Sequence, residues 1–186
     1  MLIYAAAAPL PVHVVTCPPL EREAEERIMS ELNRANELIE QHMKQSDVVI
    51  DRMRRLNDVD VDDYERDTIE SRLRNEFQTV LHQRGVLEGV ATRAASLWAH
   101  ITVSVVQLVV TTPGSSIVMY FRCGSVRALY ELDGMITTGF MRAVFTEIIH
   151  ALTSSTPTVD VYVKRDDFDF VLSSLRSLQD SGLFWN

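Results

Sequence analysis

Apolar residues repeat at helical spacing in the first half of the chain. From Glu21 to about Leu56 they recur at alternating intervals of four and three, with no Pro or Gly between them. This spacing keeps the side chains on one face and predicts a long helix with coiled-coil character. The polar members His42 and Ser46 weaken the centre of this stripe. The heptad stripe consists of Ile28, Leu32, Ala35, Ile39, His42, Ser46, Val49, Met53 and Leu56.

A second helical pattern follows the acidic link "NDVDVDDYERD". Asp62 or Asp63 is expected to cap this helix, because a carboxylate accepts hydrogen bonds from the free N–H groups of a first helical turn. Apolar residues at helical spacing follow, and the pattern leaves open a helix that continues to about Trp98 and one that breaks near Gly85 and Gly89. A short link between two amphipathic helices predicts an antiparallel helical hairpin over residues 21–98.

From Ile101 onward the pattern favours strands. The segments "ITVSVVQLVV" and "IVMYFRC" are rich in β-branched residues and flank "TTPGSS", in which Pro and Gly suit a turn. They predict a β-hairpin with one largely buried face. A further strand is predicted at "VDVYV", where Val159, Val161 and Val163 alternate with other residues.

Three helices are predicted after the β-hairpin. Ser125 is expected to cap the first, which would stop at Gly134, and the second would run from about Thr137 to Leu152. Asp166 is expected to cap the last helix. The apolar stripe of that helix is predicted as Phe170, Val171, Leu175 and Leu178. These helices would cover the sheet and form a small α/β sandwich over residues 99–186.

The N-terminal segment, residues 1–20, is apolar and rich in proline. The pattern leaves open a tail, a short edge strand at Val12–Thr16 and a cleaved signal. The whole chain is thus expected to have an α+β fold. A long antiparallel helical hairpin would precede a small sandwich, in which helices cover an antiparallel-rich sheet.

Charge and cysteine content narrow the class of protein. The formal net charge is −8, and most of the excess acid lies in residues 21–90. A nucleic-acid binder or an anionic-membrane binder would need a basic face, so neither partner is expected. The chain has two cysteines, which is too few for a disulfide framework and favours a reducing, cytoplasmic location.

The acidic link is the segment that most resembles a metal site. Asp58, Asp60 and Asp62 occupy the first, third and fifth positions of a calcium loop. The required glycine is replaced by Asp63, and the closing acid Glu70 comes one residue late, so a solvated acidic link is expected instead. We expect no catalytic residue, metal or cofactor.

Three quoted segments carry a resemblance to a known family. They are "VVQLVVTTPGSSIVMYFRCGSVRALYEL", "FMRAVFTEIIHAL" and "VDVYVKRDDFDFVLSSL". Over residues 105–175 the chain resembles the TRADD N-terminal domain family. The resemblance implies an α+β sandwich that recruits a TRAF-like adaptor through its sheet, without catalytic residues. The partner-binding positions that it implies are Tyr120, Arg122 and Ser125.

The expected function is therefore a non-enzymatic protein-interaction module. The resemblance implies a signalling adaptor or scaffold that acts in apoptosis or innate immunity. A structural protein that forms homo-oligomers through residues 21–98 is the alternative, since the heptad stripe would suit pairing with a second copy. An unrecognised enzyme is a third hypothesis.

Overall fold

The computed structural model of the protein describes residues 7–56, 58, 60–86, 106–112 and 117–181. Within these residues, the chain forms four strands and six helices, an α+β fold as predicted. The strands are β1 (Leu10–Cys17), β2 (Val106–Thr112), β3 (Ile117–Cys123) and β4 (Thr158–Tyr162). The helices are α1 (Arg22–Lys44), α2 (Asp47–Leu56), α3 (Asp63–Gln83), α4 (Val126–Thr137), α5 (Phe140–Thr153) and α6 (Arg165–Asp180).

The four strands form one sheet in the order β2-β3-β1-β4, and every neighbouring pair is antiparallel. With helices after β1 and after β3, this order is that of the split β-α-β arrangement. β1 pairs with β3 on one side and with β4 on the other. It is therefore an inner strand, in contrast to the edge strand that the sequence left as one alternative.

The sheet has two unlike faces, because side chains alternate along each strand. On β1, β3 and β4, the inner face is buried and consists of Leu10, Val12, Val14, Ile117, Met119, Phe121, Cys123, Val159 and Val161. On the same three strands, the outer face is partly or largely exposed and consists of Pro11, His13, Val15, Val118, Tyr120, Arg122, Thr158, Asp160 and Tyr162. The apolar inner face requires a cover of helices.

The predicted long first helix is broken into two. α1 ends at Lys44 and α2 begins at Asp47, so the prediction of one helix to Leu56 is wrong. The physical reason lies at Ser46, whose Oγ accepts a hydrogen bond from the Val49 N–H at 3.3 Å. A serine that binds N–H groups of a first turn favours the start of a new helix over the continuation of the old one.

The third helix begins as predicted. Asp62 Oδ1 accepts a hydrogen bond from the Glu65 N–H at 2.8 Å, and the helix starts at Asp63. α3 ends at Gln83. The predicted continuation to Trp98 lies outside the described residues.

The helical hairpin and the sheet share one hydrophobic core. Buried residues of α1, α2 and α3 belong to the same cluster as the inner face of the sheet. α1 contacts α3, β2 and α5, and α2 contacts α3. The described parts of residues 21–98 and of residues 99–186 therefore meet in a common interior, and α1 forms part of the cover over the sheet.

Helix ends in the second half differ from the predictions at two glycines. α4 passes through Gly134 and ends at Thr137, so the predicted stop at Gly134 is wrong. The chain turns instead at Gly139, whose φ of 82° lies in the left-handed region that glycine tolerates best. α5 consequently begins at Phe140, three residues after the predicted start.

The last helix has a different first turn from the predicted one. Lys164 occupies the N-cap position, and Asp166 lies in the first turn without capping it. Phe170 is 68% exposed, whereas Phe168 is partly buried and packs against the core. Phe168 lies three residues before Val171 and so shares its face, while Phe170 is rotated away. The assignment of Phe170 to the buried stripe is therefore wrong.

Candidate functional site

Two of the three predicted partner-binding residues lie on the outer face of the sheet. β3 alternates between buried and partly exposed residues, and Tyr120 and Arg122 belong to the exposed set. Ser125 lies beyond the end of β3, where the chain enters α4. The structure thus brings Tyr120 and Arg122 to one surface, with Ser125 after the strand.

Ser125 has a structural task of its own. Its Oγ accepts a hydrogen bond from the Ala128 N–H at 3.0 Å, and its backbone is extended, as in an N-cap residue. This confirms the predicted cap of α4. The hydroxyl oxygen holds the first turn of α4, so the side chain of Ser125 has a structural role within the chain.

Strand pairing adds residues that the resemblance did not name. Pro11 of β1 lies opposite Tyr120 of β3, and His13 lies between Val118 of β3 and Tyr162 of β4. These residues share the outer face with Tyr120 and Arg122. The alternation within "LPVHVVTC" separates Pro11 and His13 from the buried positions, but the sequence carries no sign of which strands lie beside them.

His13 and Tyr162 form a stacked pair on this face. The ring centroids are 4.9 Å apart and the ring planes differ by 9°. Tyr162 is 39% exposed, so the pair lies at the surface with the tyrosine outermost on the edge strand. The Nε2 atom of His13 is buried and has no hydrogen-bond partner.

Burial and nearby charges determine the protonation of His13. Burial lowers the pKa of its imidazole below the ordinary value of 6.5, and Lys164 acts in the same direction. Asp167 opposes both effects. The imidazole is therefore neutral at neutral pH, which fits a ring nitrogen that has no hydrogen-bond partner.

Two further polar groups belong to the outer face. Arg122 adds a positive charge to it, and its Nε atom is buried without a hydrogen-bond partner. On β4, Asp160 Oδ1 accepts a hydrogen bond from the Val161 N–H at 3.0 Å and lies 3.5 Å from Arg142 Nη2. The edge strand thus uses its own side chain to satisfy one backbone donor.

The heptad stripe lies inside the molecule. Its members Ile28, Leu32, Ala35, Ile39, Val49, Met53 and Leu56 are each at most 1% exposed. The helix that faces them, α3, contributes Leu73 and Phe77 to the same core. The stripe does pair helices, but it does so within one chain, and its apolar side chains offer no surface to a second copy.

The two polar stripe members, His42 and Ser46, are both partly exposed, and His42 makes contacts across the helices. Its side chain is 27% exposed, and Nε2 lies 2.8 Å from Oε1 of Glu76. The second oxygen of Glu76 accepts a hydrogen bond from Arg52 at 3.2 Å. This group joins α1, α2 and α3 close to the break after Lys44. Sequence reasoning named only His42, because Glu76 lies on a different helix.

A cleft of about 640 Å³ lies between the β1–α1 and α5–β4 connections. Its walls combine Pro18, Pro19 and Glu23 with a hydroxyl-rich segment, residues 153–156. Arg27 also lines the cleft, and its Nη1 donates a hydrogen bond to the Leu152 carbonyl oxygen at 2.9 Å. Within the described ranges, no three His, Cys, Asp or Glu side chains converge to hold a metal ion.

The two cysteines are free thiols in different surroundings. Burial raises the pKa of Cys123 to about 12, so this thiol stays protonated at neutral pH. A protonated thiol is a poor nucleophile, and Cys123 acts as a small apolar residue of the inner face. Cys17 is exposed at the end of β1.

Comparison with known proteins gives no relative. No family model, no curated protein and no solved structure matches the chain. Among the described helices, none combines the length and the apolar character needed to cross a bilayer.

Proposed function

We propose that the protein is a non-enzymatic interaction module that binds a protein partner through the outer face of its sheet. One observation carries the proposal. The outer face keeps Tyr120, Arg122 and Tyr162 at least partly exposed, while the inner face and the apolar part of the heptad stripe are buried. Tyrosine and arginine are residue types that contribute most strongly to binding at protein interfaces.

The position of Tyr120 and Arg122 on an inner strand also favours partner binding. Tyr120 and Arg122 project from β3, which is paired on both sides by β2 and β1. A side chain on an inner strand loses little backbone freedom when a partner docks, so more of the contact energy appears as affinity. Partly exposed apolar neighbours, Pro11 and Val118, surround Tyr120 and would be covered in the complex.

The identity of the partner rests on the resemblance to the TRADD N-terminal domain family. It supports a TRAF-like adaptor as the partner and a signalling adaptor or scaffold as the cellular role. The observed strand order, with an accessible sheet face, is compatible with such recruitment. Two free cysteines are compatible with the reducing cytoplasm.

Two other hypotheses have less support. A homo-oligomer through residues 21–98 needs an apolar stripe that is free to pair, and the apolar stripe residues are covered by the chain itself. An enzyme that uses a cysteine nucleophile needs a thiol that can lose its proton. The buried Cys123 is protonated, and the polar walls of the cleft offer no feature that favours one reaction.

The experiment that tests the proposal compares two charge substitutions on the outer face with two matched controls. Tyr120→Asp and Arg122→Glu alter the face, whereas Tyr64→Asp and Arg176→Glu make the same changes at exposed sites on α3 and α6. All four proteins are first checked for folding by circular dichroism and thermal melting. Binding to a purified TRAF-type adaptor domain is then measured by calorimetry.

We expect each face variant to weaken binding by about tenfold or more, as for residues that dominate an interface. The controls should bind like the unmodified protein. Equal binding by all four variants would place the interface elsewhere on the molecule. Failure of the unmodified protein to bind would rule out a TRAF-type adaptor as the partner. The same variants would then be compared by crosslinking and affinity capture, where loss of one protein in the face variants alone would identify a different partner.

A further inference from the structure

The stacked pair of His13 and Tyr162 joins an inner strand to an edge strand. His13 projects from β1 and Tyr162 from β4, and the two residues are direct partners in the β1–β4 register. β4 has only five residues and pairs only with β1 among the described strands. The stack adds a cross-strand side-chain contact to the backbone pairing with β1 and to the buried side chains of Val159 and Val161, which also hold β4 in place.

The surroundings of His13 disfavour a positive charge. Both ring nitrogens of a charged imidazole carry a proton, and the proton on the buried Nε2 would have no acceptor. Lys164, just before α6, repels a charged imidazole, and Asp167 on α6 attracts it. β3 contributes the uncharged Val118 directly opposite, with Arg122 further along the strand, and β4 contributes Asp160.

We propose that the His13–Tyr162 stack is a proton-operated contact, which holds β4 against the sheet while His13 is neutral and loosens it when His13 is charged. The neutral ring tolerates burial under Tyr162. The charged ring needs water or an acceptor for Nε2–H, and the ring reaches one by moving out of the stack. Because β4 carries part of the outer face, the contact links the shape of that face to pH.

The direction of the effect follows from proton linkage. The pKa of His13 is lower in the folded protein than its ordinary value of 6.5. As the pH falls through that value, the opened form takes up a proton before the closed form does. The stack is therefore fully effective above about pH 6.5 and weakens progressively below it, until the folded His13 is itself protonated.

Amide hydrogen exchange of the free full-length protein tests the proposal. Exchange of the β4 amides, Thr158–Tyr162, is measured between about pH 5 and pH 8 and corrected for the intrinsic effect of pH on exchange. The critical variant is His13→Phe, which keeps a flat ring on Tyr162 but cannot take a proton. His150→Phe, at an exposed site on α5, is the matched control.

We expect corrected opening of β4 to increase severalfold on acidification in the unmodified protein and in His150→Phe, and to stay constant in His13→Phe. An imidazole NMR titration should place the pKa of His13 below that of an unstructured histidine. A pH-dependent opening that persists in His13→Phe would overturn the proposal, as would an ordinary or raised pKa for His13. Neither measurement needs a partner, so the result is independent of the proposed function.

Discussion

The heptad stripe has a regular apolar pattern and its apolar members are buried, whereas the outer face of the sheet has no such pattern and is at least partly exposed to solvent. The stripe has the most regular spacing in the chain, and its apolar members are at most 1% exposed. The outer face mixes proline, histidine, valine, tyrosine and arginine without an obvious pattern, and it remains accessible. Regular apolar spacing indicates that a helix face is buried. It does not indicate whether that face packs against another molecule or against the same chain.

The difference between these two regions has a structural cause. α1 contacts α3, and it also contacts β2 of the sheet and α5. Its apolar residues are therefore buried within the molecule. The outer face lies on the other side of the sheet from the buried side chains. A partner is therefore expected to meet the mixed surface.

The largest effect is expected from a charge placed in the heptad stripe. Leu32→Asp should unfold the protein, because an unpaired buried carboxylate costs several kcal/mol against a typical total stability of about 5–15 kcal/mol. Ser30→Asp, at an exposed site on α1, is the control and should melt like the unmodified protein within a few degrees. A folded Leu32→Asp protein that only loses an oligomeric state would show that the stripe is a surface for a second copy.

Two phenylalanines test the assignment of buried and exposed helix faces. Phe145 is fully buried on α5, and Phe145→Ala should cost about 3–5 kcal/mol through lost burial and the cavity left behind. Phe170, at 68% exposure, should change the free energy of unfolding by less than about 0.5 kcal/mol when replaced by Ala. Urea denaturation measures both, and similar losses for the two variants would contradict the observed orientation of α6.

A smaller effect is expected at Ser125, where capping and partner binding make different predictions. Ser125→Ala should lower stability by about 1 kcal/mol because the Ala128 N–H loses its acceptor. Ser125→Asp restores an acceptor and should recover most of that stability. Urea midpoints provide the comparison. If Ser125→Ala weakens partner binding while its urea midpoint is unchanged, Ser125 is a contact residue instead of a cap.

The smallest effect concerns the edge of the sheet. Asp160 Oδ1 accepts the Val161 N–H, a donor that an incoming strand would otherwise use. Asp160→Ala removes this acceptor together with a charge and should promote weak, concentration-dependent association, detected by light scattering. Asp160→Asn keeps an oxygen in the same position and should behave like the unmodified protein. If both variants associate, the negative charge of Asp160, and not its hydrogen bond, protects the edge strand from pairing with a second molecule.

Sequence patterns predicted the individual strands and helix caps better than they predicted which elements pack or pair with one another. The β-hairpin, β4, the Asp62 cap and the Ser125 cap are all signalled by residues within a few positions of one another. The break after Lys44 was missed because the four-three spacing continues across it. Ser46 is a polar interruption in a stripe or the first cap of a new helix, and only the observed hydrogen bond to Val49 distinguishes the two.

The candidate site was predictable only along β3. Tyr120 and Arg122, which the resemblance implied, both lie on this one strand. His13 and Tyr162 could not be joined to them, because strand order is a property of the whole sheet and leaves no local pattern. The group formed by His42, Glu76 and Arg52 was missed for the same reason, since its members lie on three helices.

The inner position of β1 has a consequence for how the chain is made. Val12 pairs with Met119, and Thr16 pairs with Val159, so β1 waits for partners encoded far downstream. Such distant pairings slow folding and leave an apolar strand without partners while the chain grows. The helices after β1 can form early from local contacts. The sheet is complete only once β4 has left the ribosome, so it assembles later than the helices after β1.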